Sequence, residues 1–305
     1  MTRIGRRRFL QAAACVGVGT ALAPHAAPAK PKPNVVLIYT DDQPLSEFNC
    51  YGGKVLSPNI DRLAREGMRF DRFYVSSAVC SPSRYSALSG RYASRCLRQQ
   101  VRFPPGGPIT MGWEAGIYGE TATLPEILQR SGYFTGAVGK WMQGSLPIRN
   151  PPAEATGREP EVAALLQANY QKVLDSVRAC GFDFAASIYP NNTGVPKGPQ
   201  SAQSSWLPKA LRQHNQEWVT AGAIEFLDQA AQRRQPFFLY FPTTLTHSPS
   251  PVDSLRADPR IAASGYLDEP SSGVQPSRTD VLKRVGEAGL PPRTAGVTWL
   301  DDGVG

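Results

Sequence analysis

Three short apolar runs set the plan of the chain. Val35 to Tyr39, Phe134 to Val138 and Pro236 to Phe241 are continuous and contain many β-branched or aromatic residues, the pattern of strands buried on both faces. Elsewhere the apolar positions recur at helical spacing. Ile60, Leu63 and Ala64 form a stripe expected to face inward on a helix that starts at Ser57-Pro58 and ends before Gly67. Leu165, Leu166, Tyr170, Val173, Leu174 and Val177 share one side of a helix from Val162 to Cys180, and Val219, Ala223, Phe226, Leu227 and Ala230 do the same from Trp218 to Ala230. Thr123-Leu124-Pro125-Glu126 is a capping box that opens a helix running to Gly132. Arg69 to Val75 alternates and predicts another strand, and Thr279 to Ala288 predicts a helix. Residues 98–119, 150–160, 188–208 and 250–278 are polar or contain many glycines and prolines, and predict loops. Strand, helix and strand joined by short links pair in parallel through right-handed crossovers. The expected fold class is therefore α/β, with a mostly parallel central sheet flanked by helices.

This plan gives the strand ends a meaning. Asp41 and Asp42 follow the first apolar run, Lys140 follows the second and His247 the third, so a parallel sheet brings all of them to its carboxyl edge, where open α/β sheets place ligands. Adjacent carboxylates repel unless a cation or hydrogen bonds compensate, and hard oxygen donors suit Ca²⁺ or Mg²⁺. A fourth element is Val79-Cys80-Ser81-Pro82-Ser83-Arg84, which puts a soft nucleophile, a proline-started helix and a cation within one turn. The amides of Ser83 and Arg84 are expected to point at whatever Cys80 holds. A helix start favours an anion, and a tetrahedral oxyanion fits.

Composition narrows the function classes. Arg6-Arg7-Arg8-Phe9-Leu10, followed by an alanine- and glycine-rich run to Ala23, predicts a twin-arginine export signal over residues 1–29, and hence a periplasmic or extracellular protein. Small residues at Ala21 and Ala23, or at Ala27 and Ala29, offer cleavage sites. The run is too short and too weakly apolar for a membrane span, which takes about 20 residues. Cys15 falls too early in the run for lipidation. The leader carries four arginines and no acids, so the net charge of +8 falls to +4 without it, from 29 basic and 25 acidic residues. No basic run follows Lys32, which argues against nucleic acid as a partner. Of the five cysteines, Cys50, Cys96 and Cys180 remain after Cys15 and Cys80. That leaves room for one disulfide but no disulfide framework. Beyond the leader only His214 and His247 are left as imidazoles, which excludes a His-rich zinc cluster.

Cys80-x-Pro82-x-Arg84 also resembles the signature of the sulfatase family, whose members share an alkaline-phosphatase-like fold. The resemblance extends to Asn34–Asp42, to Ser57-Pro58-Asn59-Ile60-Asp61-Arg62-Leu63-Ala64, to Ser89-Gly90-Arg91-Tyr92, to Gly139-Lys140-Trp141 and to Thr246-His247-Ser248-Pro249. It covers roughly residues 33–305, within a catalytic domain expected over residues 30–305. It implies that Cys80 is oxidised to formylglycine by a formylglycine-generating enzyme. It also implies that Asp41, Asp42 and the modified Cys80 ligate calcium, with magnesium as the alternative. Arg84 would hold the aldehyde and the metal-ligand geometry, while Lys140 and His247 would stabilise charge on the sulfuryl oxygens and the leaving group. Many family members carry a histidine two residues after the lysine. This chain has Met142 there, and Gln143 replaces it only in part.

The implied reaction is hydrolysis of a sulfate ester, in a sulfated small molecule or a sulfated glycan. Thr294 to Gly305 resembles a family helix that precedes a further strand and the Asp with Asn or His completing the metal shell. The chain is therefore expected to be a C-terminally truncated, N-terminal portion of the domain, with weak or no turnover. Two other readings stay open at this level: a phosphate or phosphonate ester hydrolase of the same superfamily, and a non-catalytic sulfated-glycan-binding fragment.

Overall fold

A computed structural model describes residues 31–305 except 104–105, 108–114, 121, 145, 147 and 194–205. The export signal expected over residues 1–29 lies outside the described residues. Four strands form the main sheet: β1 (Val35–Tyr39), β2 (Phe134–Lys140), β3 (Phe184–Tyr189) and β4 (Phe237–Pro242). Their spatial order is β1-β4-β2-β3, and every pairing is parallel. Around this sheet lie α1 (Pro58–Glu66), α2 (Cys80–Ser89), α3 (Leu97–Arg102), α4 (Leu124–Arg130), α5 (Pro160–Arg178) and α6 (Gln216–Ala231). Then come α7 (Pro251–Arg256), a two-stranded hairpin of β5 (Ile261–Ala262) and β6 (Gly265–Tyr266), α8 (Arg278–Glu287) and α9 (Ala295–Val304). The unit they form runs from Pro33 to Gly305.

The core follows from the two-residue period of β4. Phe238 and Tyr240 enter one apolar cluster with Tyr85 and Leu88 of α2, while Leu239 and Phe241 enter another with Val219, Ala223 and Phe226 of α6. Both faces of the strand are thus covered, as its unbroken apolar run requires. Close packing accounts for one glycine: a Cβ at Gly136 would lie 2.3 Å from a ring carbon of Phe226. The capping box at α4 is present, with Glu126 Oε2 accepting from the Thr123 amide at 3.1 Å.

Several expectations change. β1, expected to be central and buried on both faces, is an edge strand here, and Val36 is 46% exposed because no described element packs outside it. Arg69 to Val75 forms no strand. With no neighbouring strand to bond to, its apolar side chains stay outside, Phe73 at 76% and Tyr74 at 84% exposure. The helix around Ile60, Leu63 and Ala64 forms, yet it buries none of its residues. It is held by its end instead. Asp301 Oδ1 accepts from the Ile60 amide at 2.8 Å, and Asp301 Oδ2 accepts from the Asn59 amide at 3.2 Å, so a carboxylate of α9 caps the start of α1. Asp302 pairs with Arg284 of α8. The strand Phe184–Tyr189 and helix α7 fall where no regular element or a loop was expected.

Candidate active site

The carboxyl ends of β1, β2 and β4 face the same way because all three strands are parallel, and the expected residues gather there. Backbone bonds sew the edge together: the Thr243 amide donates to Tyr39 O at 3.0 Å, Asp41 to Leu245 O at 2.9 Å and Thr246 to Asp41 O at 2.6 Å. Asp42 has a φ of +50°, a conformation that aspartate tolerates better than most residues. That turn separates the two carboxylates. Asp41 points into the protein at 3% exposure, while the Asp42 side chain is 61% exposed.

Asp41 is the centre of a buried charge cluster. Lys140 Nζ donates to its Oδ2, and Arg84 Nη2 lies 3.6 Å from the same oxygen. Arg84 also donates from Nη1 to Lys140 O at 3.2 Å, and its guanidinium sits 5.3 Å from the centre of the Tyr39 ring. Burial pushes the Lys140 ammonium below the usual lysine range, with Asp41 opposing that shift and Arg84 adding to it. Arg84 is fully buried, with the Tyr240 hydroxyl and Asp41 as the partners that favour its charge, while its Nε and Nη2 make no hydrogen bond of good geometry. Guanidinium hydrogens left in this state, next to a cavity, suit an incoming oxyanion.

That cavity, of about 470 Å³, is lined by Asp41, Asp42, Cys80, Ser83 and Arg84, with Phe73 and Val75 on its rim. Cys80 is half-buried at the first residue of α2. Lys140 stands behind Asp41. His247 stands beside Asp42, its Nε2 3.6 Å from Asp42 Oδ2. The structure thus places Asp41, Asp42, Cys80 and Arg84 on the lining of one opening, while Lys140 reaches it only through its ion pair with Asp41 and His247 lies beside Asp42, outside the lining. One detail of the helix start differs. The helix begins at Cys80, before the proline, so the Ser83 amide donates to Val79 O at 3.1 Å and is not offered to a ligand at residue 80. Ser83 instead contributes its hydroxyl, 2.6 Å from that of Tyr39.

The two implied groups fare differently. Formylglycine at residue 80 fits: the side chain borders the cavity beside the unsatisfied Arg84. For a divalent cation the donor chemistry of Asp41, Asp42 and Cys80 is right, but the number is not. Asp41 is already ion-paired, and among the described residues no group of three or more His, Cys, Asp or Glu side chains is placed to hold an ion. Calcium takes six to eight oxygens. Met142 and Gln143 are both buried, and the Gln143 amide has no hydrogen-bond partner. The four cysteines among the described residues are free thiols.

Sequence reasoning missed His214, which is buried at 1% exposure behind the His247 segment. Burial drives its pKa down from 6.5 to about 4, and two backbone carbonyl contacts only partly resist. The folded pKa therefore lies below the unfolded one, so the unfolded chain takes up the proton first. Stability from this residue is complete above pH 6.5 and falls as the pH drops from 6.5 towards 4, by about 3 kcal/mol in all at roughly 1.4 kcal/mol per unit. Urea midpoints at pH 7 and pH 5 check this. A His214→Leu variant should lose less between the two, and identical losses would remove His214 as the cause.

Residues 33–266 match the family model described as Sulfatase. Human arylsulfatase A is 28% identical over 296 residues, which cover 93% of this chain and 54% of that protein. An N-acetylgalactosamine-6-O-sulfatase of Bacteroides thetaiotaomicron is 38% identical over 117 residues, which cover 38% of this chain and 22% of that protein. The solved structure of Ps i-CgsB in complex with k-i-k-neocarrahexaose shares the fold, with a TM-score of 0.51 at 21% identity, covering 90% of this chain and 53% of that one. The chain spans about half the length of arylsulfatase A. Among the described residues, no helix is long and apolar enough to cross a membrane.

Proposed function

The chain belongs to the sulfatase family, and from that premise we propose that it hydrolyses sulfate esters in the cavity bordered by Cys80. The observation that carries this reading is the buried Arg84 guanidinium, with Nε and Nη2 unsatisfied, beside a cysteine at a helix start. Sulfatases generally use a formylglycine and a divalent cation. Formylglycine at residue 80 would supply, as its hydrate, one hydroxyl to attack sulfur and a second whose proton loss expels sulfate. For a cation, calcium or magnesium, Asp41, Asp42 and residue 80 offer donors of the right chemistry but too few to complete its shell among the described residues, so the roles proposed fall to the chain's own side chains.

The chain's own residues have the following roles in this proposal. Arg84 orients the group at residue 80 and the sulfuryl oxygens. Lys140 fixes Asp41 and adds positive potential where charge develops. His247, as the imidazolium, delivers its Nε2 proton to the oxygen of the leaving alcohol and keeps the proton on Nδ1. Phe73 and Val75 at the rim meet the remainder of the ester. The substrate class is a sulfated small molecule or glycan, in keeping with the names of the arylsulfatase and N-acetylgalactosamine-6-O-sulfatase relatives. Export through the Arg6–Leu10 leader completes the proposal.

The test is co-expression of the full chain with a formylglycine-generating enzyme, followed by turnover of matched aryl sulfate and aryl phosphate. We expect aryl sulfate to be the better substrate. A chain with a hydrazine-reactive aldehyde at residue 80 that turns over only the phosphate, or neither ester, would refute the proposal.

A further inference from the structure

The geometry points to His214 as a positioning residue that fixes the tautomer and aim of His247. The inference rests on the reading of His247 as the proton donor. His214 lies between Leu211 and α6, where several bonds hold its backbone in place. Its amide donates to Ser254 Oγ at 3.1 Å, and Ser254 Oγ donates to Gln213 Oε1 at 3.0 Å. Next to it, Asn215 caps α6 through the Trp218 amide and donates from Nδ2 to Pro259 O and Ile261 O at 2.7 and 2.8 Å.

From this anchored backbone the ring reaches three points of one short segment. Nε2 is 2.8 Å from His247 O and 3.0 Å from Pro249 O, and Nδ1 is 2.8 Å from Thr244 Oγ1. Carbonyl oxygens only accept, so Nε2 carries the proton and donates to both. Nδ1 is then bare and accepts from the Thr244 hydroxyl. His214 therefore holds the start, the middle and the end of the segment 244–249 with a single tautomer. Neighbouring Gln216 adds a fourth hold, its Oε1 accepting from Thr243 Oγ1 at 2.9 Å.

The held segment determines the state of His247. Its Nδ1 is 2.9 Å from Ser248 O, the carbonyl between the two that His214 grips. The carbonyl is the shorter contact and can only accept, so Nδ1 carries the proton, the Ser248 hydroxyl 3.2 Å from the same nitrogen is a second acceptor, and Nε2 is left facing Asp42. Neutral imidazole in water prefers the opposite tautomer, with the proton on Nε2. The state that His247 adopts is therefore imposed by the placement of Ser248 O, and His214 fixes the carbonyls on either side. No contact places the His214 ring in the cavity, so its influence runs through His247.

The experiment is ¹⁵N spectroscopy of histidine-labelled full chain, where three histidines give three assignable rings. We expect His214 with its proton on Nε2 and His247 with its proton on Nδ1. In His214→Leu, or in His214→Gln if the leucine variant does not fold, the His247 signal should shift to the Nε2-protonated form. A wild-type chain with either tautomer reversed overturns the inference. So does a variant with wild-type circular dichroism that keeps His247 protonated on Nδ1. Aryl sulfate turnover of the same wild-type sample tests the proton-donor reading separately, since its absence would sink that reading and leave the tautomer result standing.

Discussion

Cys80→Ala is expected to lower aryl sulfate turnover by at least about a thousand-fold, the scale on which removal of a covalent nucleophile acts, while leaving the fold in place. Cys80 is half-buried, belongs to none of the three apolar clusters and is the first residue of α2. Alanine also suits a helix start of this kind, where Val79 in extended conformation already supplies the cap position. Its melting temperature should stay within roughly 3 °C of the parent, the shift of about 1 kcal/mol in a domain of this size. Cys80→Ser separates the chemistry further. A serine oxygen that attacks sulfur forms an ester with no second hydroxyl to expel sulfate, so alcohol release should stop after at most one equivalent. Steady multiple turnover by either variant would show that residue 80 is not the nucleophile. A large drop in melting temperature for both would assign it a packing role.

How far the sequence reaches can be judged at particular residues. β2 and β4 were legible because both of their faces are covered, and burial on both sides writes itself as an unbroken apolar run. β1 has the same run, but its partners are on one side only, and no local pattern says which strand will be at an edge. Phe184–Tyr189 was not legible because its middle is Ala185-Ala186-Ser187, small residues that carry little strand preference. Its strand state comes from pairing with β2. The candidate residues in short motifs at strand ends, Asp41, Asp42, Lys140 and His247, do come to one edge, since the parallel sheet turns a position in sequence into a position at that edge. His214 has no such marker. Its neighbours 244, 247 and 249 are thirty or more residues away, and the hydrogen bonds that define its role exist only after α6 has packed against the sheet. The same holds for Asp301, whose function as the cap of α1 joins two distant motifs.

The largest effect on stability is expected at Asp41, and its size depends on which partner is removed. Removing one member of a buried ion pair costs about 3–5 kcal/mol because the other charge is left without compensation. Lys140→Met should be the milder change, since Asp41 keeps Arg84 at 3.6 Å and the cluster goes from one net positive charge to neutral. Asp41→Asn leaves Lys140 and Arg84 facing each other inside the protein with no carboxylate between them, and should lower the melting temperature by roughly 10 °C. One escape is open to this variant. Burial and Arg84 both push the Lys140 pKa down, and Asp41 is the strongest influence that raises it, so without Asp41 the lysine can shed its proton. A folded pKa below the unfolded one means that stability rises with pH as the unfolded lysine loses its proton advantage. Asp41→Asn should therefore regain stability between pH 7 and pH 10, which Asp41→Asn with Lys140→Met should not. The double variant should also cost less than the sum of the two single ones, because it removes the pair together. Thermal melts of the four proteins at the two pH values decide this, and strictly additive losses would mean that Asp41 and Lys140 do not act as one buried pair.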